Sequence, residues 1–497
     1  MENVGKRVDV GGEKGRIMYY GRVGNKTGEY FGIDWENAER GKHNGTLDGV
    51  EYFSTSSETS GSFVHPQKVS FGRDFMTLLI ERYTVDVDPN FGLSSNIYCN
   101  RDIEFVNRDK IANYTRAFEQ LVSIFLSNSD VKYFKPDSTI FRNCFTLTLS
   151  RTLLESWAIL AQITASFPKL SSLDISCNTF EPLSSVADLD KCKHVPKIKT
   201  LYVDECGLDN ESVRRIFIIF PHLAELHIAK NNFNKLIITE GFENLEKLHL
   251  YNNDIHDFAN ISALSQLPRL NYLSVRYCRL KNIAFESGFT NLEVLVADGN
   301  EFSRWEDISD LKKFPKLKKL TLKCLIPGEC GVDTREMLIS KLENLIELDH
   351  CDISVLERKN AERQFLLRIG MMRPIAQVHY LDFERLSEKH HFSYEEAIIA
   401  HEDDDYIWIR FKYLTSWFEK QFPKSMELIR ATTLVCRLIG GNPREMDYYI
   451  RTNNGVDEPA ELRVKPETLL FDLVFGPDNV LLMKDCPKGA LHFQTFE

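Results

Sequence analysis

From about residue 141 the aliphatic positions follow one recurring template, L-x-x-L-x-L-x-x-N/C. It appears as Leu170, Leu173, Ile175, Asn178, then as Ile198, Leu201, Val203, Cys206, and then as Leu223, Leu226, Ile228, Asn231. Leu245, Leu248, Leu250, Asn253 follow, then Leu270, Leu273, Val275, Cys278, and finally Leu292, Leu295, Ala297, Asn300. First aliphatics lie 28, 25, 22, 25 and 22 residues apart. Weaker units flank the array, at Cys144, Leu147, Leu149, Thr152 before it and at Leu317, Leu320, Leu322 and Leu345, Leu348 after it. Each unit predicts one short strand whose aliphatics enter a core that no unit closes alone. A different rhythm precedes the array: across residues 28 to 64, short β-type stretches are punctuated by Gly28, Gly32, Gly41, Gly45 and Gly49. Another follows it, with a strand over Asp405 to Phe411, a hairpin partner over Tyr413 to Phe422 and a helix carrying Leu428, Thr432, Val435 and Leu438 on one face. Ser425 would cap that helix and Gly440-Gly441 stop it, before strands at Tyr448 to Arg451, Ala460 to Val464 and Asn479 to Met483.

The expected division is 1–72, a small β module; 73–140, a connector and cap with an amphipathic helix over Tyr114 to Leu126; and 141–366, the repeats closed by a helix-like tail. A charged linker over 367–403, with a helix near Ser393 to His401 and a solvated His390-His391 pair, then leads to a last domain over 404–497. The array is a leucine-rich repeat solenoid, in which Cys206 and Cys278 occupy the Asn/Cys position and are structural rather than nucleophilic. Positions the template leaves free carry the information. On the concave face one column reads Asp174, Tyr202, His227, His249, Ser274, and its neighbour reads Ser172, Thr200, Glu225, Lys247, Tyr272. Strands stacked about 4.8 Å apart bring Tyr202, His227, His249 and Tyr272 together, with Glu225 opposite Lys247. That polar, aromatic patch suits protein binding. Zinc at the two histidines is not expected, because the sequence shows no third His or Cys ligand nearby.

The amino-terminal module carries the sharper chemistry. Gly41-Lys42-His43-Asn44-Gly45 sets a lysine, an imidazole and an amide between two glycines, a tight loop with exposed donors suited to a carboxylate. Tyr30, Trp35, Phe53 and Phe63 are more large rings than so small a unit buries, so they are expected to line a groove. Gly15-Arg16, Gly21, Gly28 to Trp35, Gly41 to Gly45, Tyr52-Phe53 and Gly61 to Val64 together resemble the CAP-Gly domain over about residues 4 to 72. The resemblance implies capture of acidic, aromatic-ended tails, such as that of α-tubulin, by Lys42, His43 and Asn44 above Trp35, Phe53 and Phe63. Tyr30 stands where the family usually has Trp, and Asn44 where it usually has Asp.

Charge narrows the choice of partner. A net charge of −11 over 497 residues argues against nucleic acid or a membrane surface as ligand. The sequence shows no apolar run of spanning length and no signal-peptide core at its start, so a soluble cytosolic protein is expected. Eleven cysteines without a CxxC pair read as reduced thiols. Neither a Walker loop nor a GxSxG elbow nor HExxH occurs, which argues against an enzyme.

The last domain's order of hairpin, helix and strands resembles a ubiquitin-like β-grasp. A CAP-Gly module, leucine-rich repeats and a ubiquitin-like domain in that order resemble the tubulin-specific chaperone E family over nearly the whole chain. The resemblance implies a non-enzymatic, cofactor-free, cytoplasmic and cytoskeleton-associated cochaperone that binds α-tubulin. It would work with tubulin folding cofactors B, C and D to assemble or dissociate the αβ heterodimer. A CAP-Gly scaffold acting on microtubules is the alternative expectation.

Overall fold

The computed structural model describes residues 3–83, 120–135, 139–183, 197–237, 241–323, 326–329, 331–370 and 375–392, and thereafter 406–413, 416–423, 426–439, 446–452, 460–464 and 480–485. They fall into two compact units, Met1–Leu325 with Glu347–Cys351, and Ile326–Ile346 with Asp352–Glu497.

The first unit opens with an antiparallel sheet of β1 (Arg7–Val10), β2 (Glu13–Gly21), β3 (Tyr30–Trp35) and β6 (Gly61–Val64), in that order, while β4 (Thr46–Leu47) and β5 (Val50–Glu51) form a separate hairpin. Alternation along β3 sends Phe31, Ile33 and Trp35 inward, where they meet Val8, Val10 and Ile17. Trp35 therefore does not line a groove: it is 2% exposed in this core. It stands an odd number of residues from Tyr30, and residues of opposite parity on one strand face opposite sides.

This module is packed on the solenoid. The Arg7 guanidinium, 1% exposed, donates to the Thr152 carbonyl at 2.6 Å and the Cys177 carbonyl at 3.3 Å while pairing with Glu36. A second tie joins β7 (Arg73–Asp74) to β9 (Val131–Tyr133), where Asp130 receives Arg73 Nε at 3.0 Å and the Ser70 hydroxyl at 2.5 Å. An apolar helix, Phe75–Tyr83, leaves the module between them in sequence.

Each repeat supplies one three-residue parallel strand, as the template requires: β10 (Thr146–Thr148), β11 (Ser172–Asp174), β12 (Thr200–Tyr202), β13 (Glu225–His227), β14 (Lys247–His249), β15 (Tyr272–Ser274), β16 (Val294–Val296) and β17 (Lys319–Thr321). The sheet starts earlier than the template, because β8 (Ser123–Phe125) pairs with β10. The helix expected across Tyr114 to Leu126 is thus replaced by a strand over its last turn, and residues 114–119 lie outside the described residues. Two short strands, β18 (Glu347–Leu348) and β19 (Cys351–Asp352), complete an eleven-stranded order. Asparagines lace the turns together: Asn231 Oδ1 accepts from the Cys206 and Leu208 amides at 3.0 Å, and its Nδ2 donates to the Val203 and Ala229 carbonyls. Cys206 and Cys278 donate to the Ile175 and Leu250 carbonyls, and burial pushes their thiols up to about 12 and about 11. Both are structural.

The second unit holds helices Thr334–Lys341, Val355–Ile369 and Gln377–His390. Gln377–His390 falls where a linker was expected; it buries His379, Asp382 and Leu386. His390 is not a solvated histidine, since its Nε2 lies 2.6 Å from Glu362, a carboxylate 1% exposed that also receives Lys389. The helix expected near Ser393 to His401 and the Ser425 cap lie outside the described residues. The last domain orders its strands β21 (Ser416–Pro423), β20 (Tyr406–Tyr413), β24 (Val480–Asp485), β22 (Met446–Thr452), β23 (Ala460–Val464), with β20 and β24 parallel and the other pairs antiparallel. Helix Leu428–Ile439 lies between the two hairpins in sequence and buries Leu428, Thr432 and Val435. This is the ubiquitin-like order. Among the described residues no helix is long and apolar enough to cross a membrane.

Candidate functional site

The Gly41 to Gly45 loop is held shape-first. Lys42 N–H donates to the Gly61 carbonyl at 2.8 Å, and Gly61 N–H donates to the His43 carbonyl at 2.7 Å, so the loop is pinned to β6 on both sides of its lysine. Gly45 has a φ of +92°, and a Cβ there would stand 1.7 Å from the Phe53 carbonyl oxygen. No L residue fits there. Lys42 and Asn44 are exposed and His43 is half-buried. The Asn44 side chain caps Thr46 N–H at 3.2 Å, a turn that an aspartate would also make, so the replacement changes charge rather than shape.

Behind the loop a ring cluster forms the floor. Phe63 touches His43, Tyr52 and Phe53 at centroid distances of 4.9, 5.3 and 5.5 Å, and Tyr19 closes the cluster 5.4 Å from Tyr52. Tyr30 lies to one side, against His65. Phe53, 7% exposed, sits deepest; Gly32 leaves room for it, as a Cβ at residue 32 would reach its ring at 2.4 Å. Of the expected residues, Lys42, His43, Asn44, Phe53 and Phe63 come together, Tyr30 borders them, and Trp35 is on the opposite face.

Three members were missed. Tyr52 anchors the floor by accepting Gly24 N–H at 2.8 Å, and Lys26 Nζ lies 5.5 Å from the Tyr30 ring centroid and 5.6 Å from that of Phe63. Tyr19 reaches the cluster through an irregularity in β2 between Ile17 and Tyr19, which flips strand parity. Lys26 and Lys42 give the site two cations on an acidic protein. Burial, and then the Lys26 charge, lower the His43 pKa, so the imidazole is neutral near pH 7. Its Nδ1 accepts Gly45 N–H at 3.0 Å, which leaves Nε2 carrying the proton.

The concave solenoid holds the second cluster. Register puts Tyr202, His227 and His249 abreast and Glu225 beside Lys247. Tyr202 stacks on His227 at 4.0 Å, His227 on His249 at 3.8 Å, and Tyr272 leans from the next column to 4.7 Å from His249. Lys247 Nζ lies 3.3 Å from Glu225. Burial lowers both histidines, His249 to about 4, so both rings are neutral near pH 7.

A CAP-Gly domain family model matches residues 4–69. Tubulin-specific chaperone E of Danio rerio is 32% identical over 289 residues, 57% of this chain and 54% of that protein, so this match spans about half the relative's length. The protein of the same name from Xenopus laevis is 30% identical over 379 residues, 73% of this chain and 72% of that protein. Among solved structures, the C-terminal ubiquitin-like domain of mouse tubulin-specific chaperone e matches 17% of this chain and 89% of its own, at 18% identity and a TM-score of 0.15. With a CAP-Gly module at one end and 30% identity carried across nearly three quarters of the frog protein, this chain belongs to the tubulin-specific chaperone E family.

Proposed function

We propose that the protein is a tubulin-folding cochaperone that binds α-tubulin and, with cofactors B, C and D, promotes assembly and dissociation of the αβ heterodimer in the cytoplasm. The observation that carries this reading is the groove: two cations and an Nε2–H donor above a floor of rings, on a chain of net charge −11. Such a surface takes an acidic peptide ending in an aromatic residue. Lys42 and Lys26 meet carboxylates, His43 donates from Nε2, and Phe63, Tyr52 and Tyr30 cover the terminal side chain. Gly41 and Gly45 set the loop. Glu225, Lys247 and the ring ladder from Tyr202 to Tyr272 serve the body of the same tubulin subunit.

Two weak contacts on one frame multiply. With the tail held, the tubulin body faces the solenoid at an effective concentration that raises affinity by about 10² to 10⁴. Dissociation then requires only that the free subunit bind more tightly than the dimer. Incubation with native αβ-tubulin, with and without cofactor B, followed by size exclusion, tests this. The expected result is an α-tubulin complex with β-tubulin released, weakened by Lys42→Ala or by removal of the tubulin tail. Co-migration with intact dimer or polymer, without release, would favour a microtubule scaffold instead.

A further inference from the structure

A carboxylate, Glu225, stands beside the two histidines, where the sequence offered no third His or Cys. Its Oε1 lies 3.1 Å from His227 Nε2 and 3.4 Å from His249 Nε2, and the three donor atoms are all within 4.8 Å of one another. A tetrahedral zinc ion with bonds of about 2.0 to 2.2 Å to nitrogen and oxygen separates neighbouring donors by about 3.3 Å. The two observed separations bracket that edge. His249 Nε2 is buried and makes no well-aligned hydrogen bond. Lys247 is engaged at the other carboxylate oxygen, Oε2, which leaves Oε1 facing the imidazoles.

We propose that Glu225, His227 and His249 form a binding site for a divalent transition-metal ion of the zinc class on the concave face of the solenoid. Two imidazoles and one carboxylate select zinc, cobalt, nickel or copper over magnesium or calcium. Three protein ligands leave a position open to water or to a side chain of a protein seated on this face. In the metal-free site His227 donates its Nε2 proton to Glu225, so that proton moves to Nδ1 as Nε2 turns its lone pair to the ion; the rings stay neutral and no net proton is released. The ring planes are 9° apart, which aligns the lone pairs side by side, so the rings turn toward each other as the ion enters. The site stands whether or not the concave face meets tubulin.

The test is titration of the full-length protein with Co²⁺ in a non-chelating buffer, after alkylation of accessible thiols such as Cys351. One equivalent should give visible d–d absorption without a near-ultraviolet thiolate band, and Zn²⁺ should abolish it. His249→Phe keeps a flat ring in the stack and removes one ligand, and Glu225→Gln weakens another. Each should loosen Co²⁺ binding by at least about tenfold, whereas Lys247→Ala should leave it intact or tighter. Absence of binding, a thiolate band at the first equivalent, or binding that persists in both ligand variants would overturn the proposal, and circular dichroism establishes that the variants are folded.

Discussion

Asp204 is the acid whose ionisation works against the solenoid. Burial raises its carboxyl to about 6, although Oδ1 accepts Ala229 N–H at 2.6 Å. Because the folded value exceeds the unfolded one of about 3.9, the folded chain retains a proton between those values. That contribution is most favourable below about pH 4 and is lost as pH rises to about 6. Asp204→Asn keeps the acceptor and removes the charge. It should stabilise by roughly 1 kcal/mol at pH 7, after allowance for residual solvent contact, and by nothing at pH 4, as read from urea midpoints. His43 has the opposite setting: burial and the Lys26 charge keep the free imidazole neutral near pH 7, and a bound carboxylate favours its protonated form. Binding of an acidic tail peptide should therefore tighten by about two- to fivefold from pH 7.5 to 5.5, and His43→Gln should flatten that dependence in anisotropy titrations. Loop glycines, lysine and histidine were legible in the sequence because their order and spacing are constrained. Trp35 was misplaced because strand parity outranks aromatic character, and Tyr19 was missed because the irregularity after Ile17 breaks parity.

Repeat strands are only three residues long, so their turns carry much of the stabilisation. Asn231 makes four hydrogen bonds to backbone groups around it, and Asn231→Ala would leave those groups buried and unpaired. The expected loss is roughly 3 kcal/mol in urea unfolding, with groove binding by a tail peptide unchanged below the transition. Elements tied to the template were readable, since a missing aliphatic would expose the core of two neighbours. The strand at Ser123–Phe125 was not, because Ile124 is its one fully buried aliphatic and helical spacing fits the same stretch. Nor was the helix at Gln377–His390, which buries a histidine and an aspartate where an apolar stripe is the usual signal.

Docking of the amino-terminal module is a property no local pattern carries. Arg7 reads as an ordinary surface residue until the Thr152 and Cys177 carbonyls meet its guanidinium. Arg7→Ala should leave the groove's affinity for an isolated tail peptide unchanged while lowering affinity for whole α-tubulin by about tenfold or more, because the two surfaces no longer share a frame. Equal loss for peptide and subunit would refute that division of labour, and calorimetry on both ligands checks it.

Those same carbonyls impose a timetable on synthesis. They lie 145 and 170 residues beyond Arg7, whereas the module's own core closes within its first 71 residues. The dock follows the completed core by about 80 to 105 residues, which at about 5 to 20 residues per second is roughly four to twenty seconds of synthesis. During that interval the nascent chain should display a folded but untethered groove, detectable as tail-peptide capture by ribosomes stalled after residue 140. A newborn chain would thus meet its client before it is equipped to act on it.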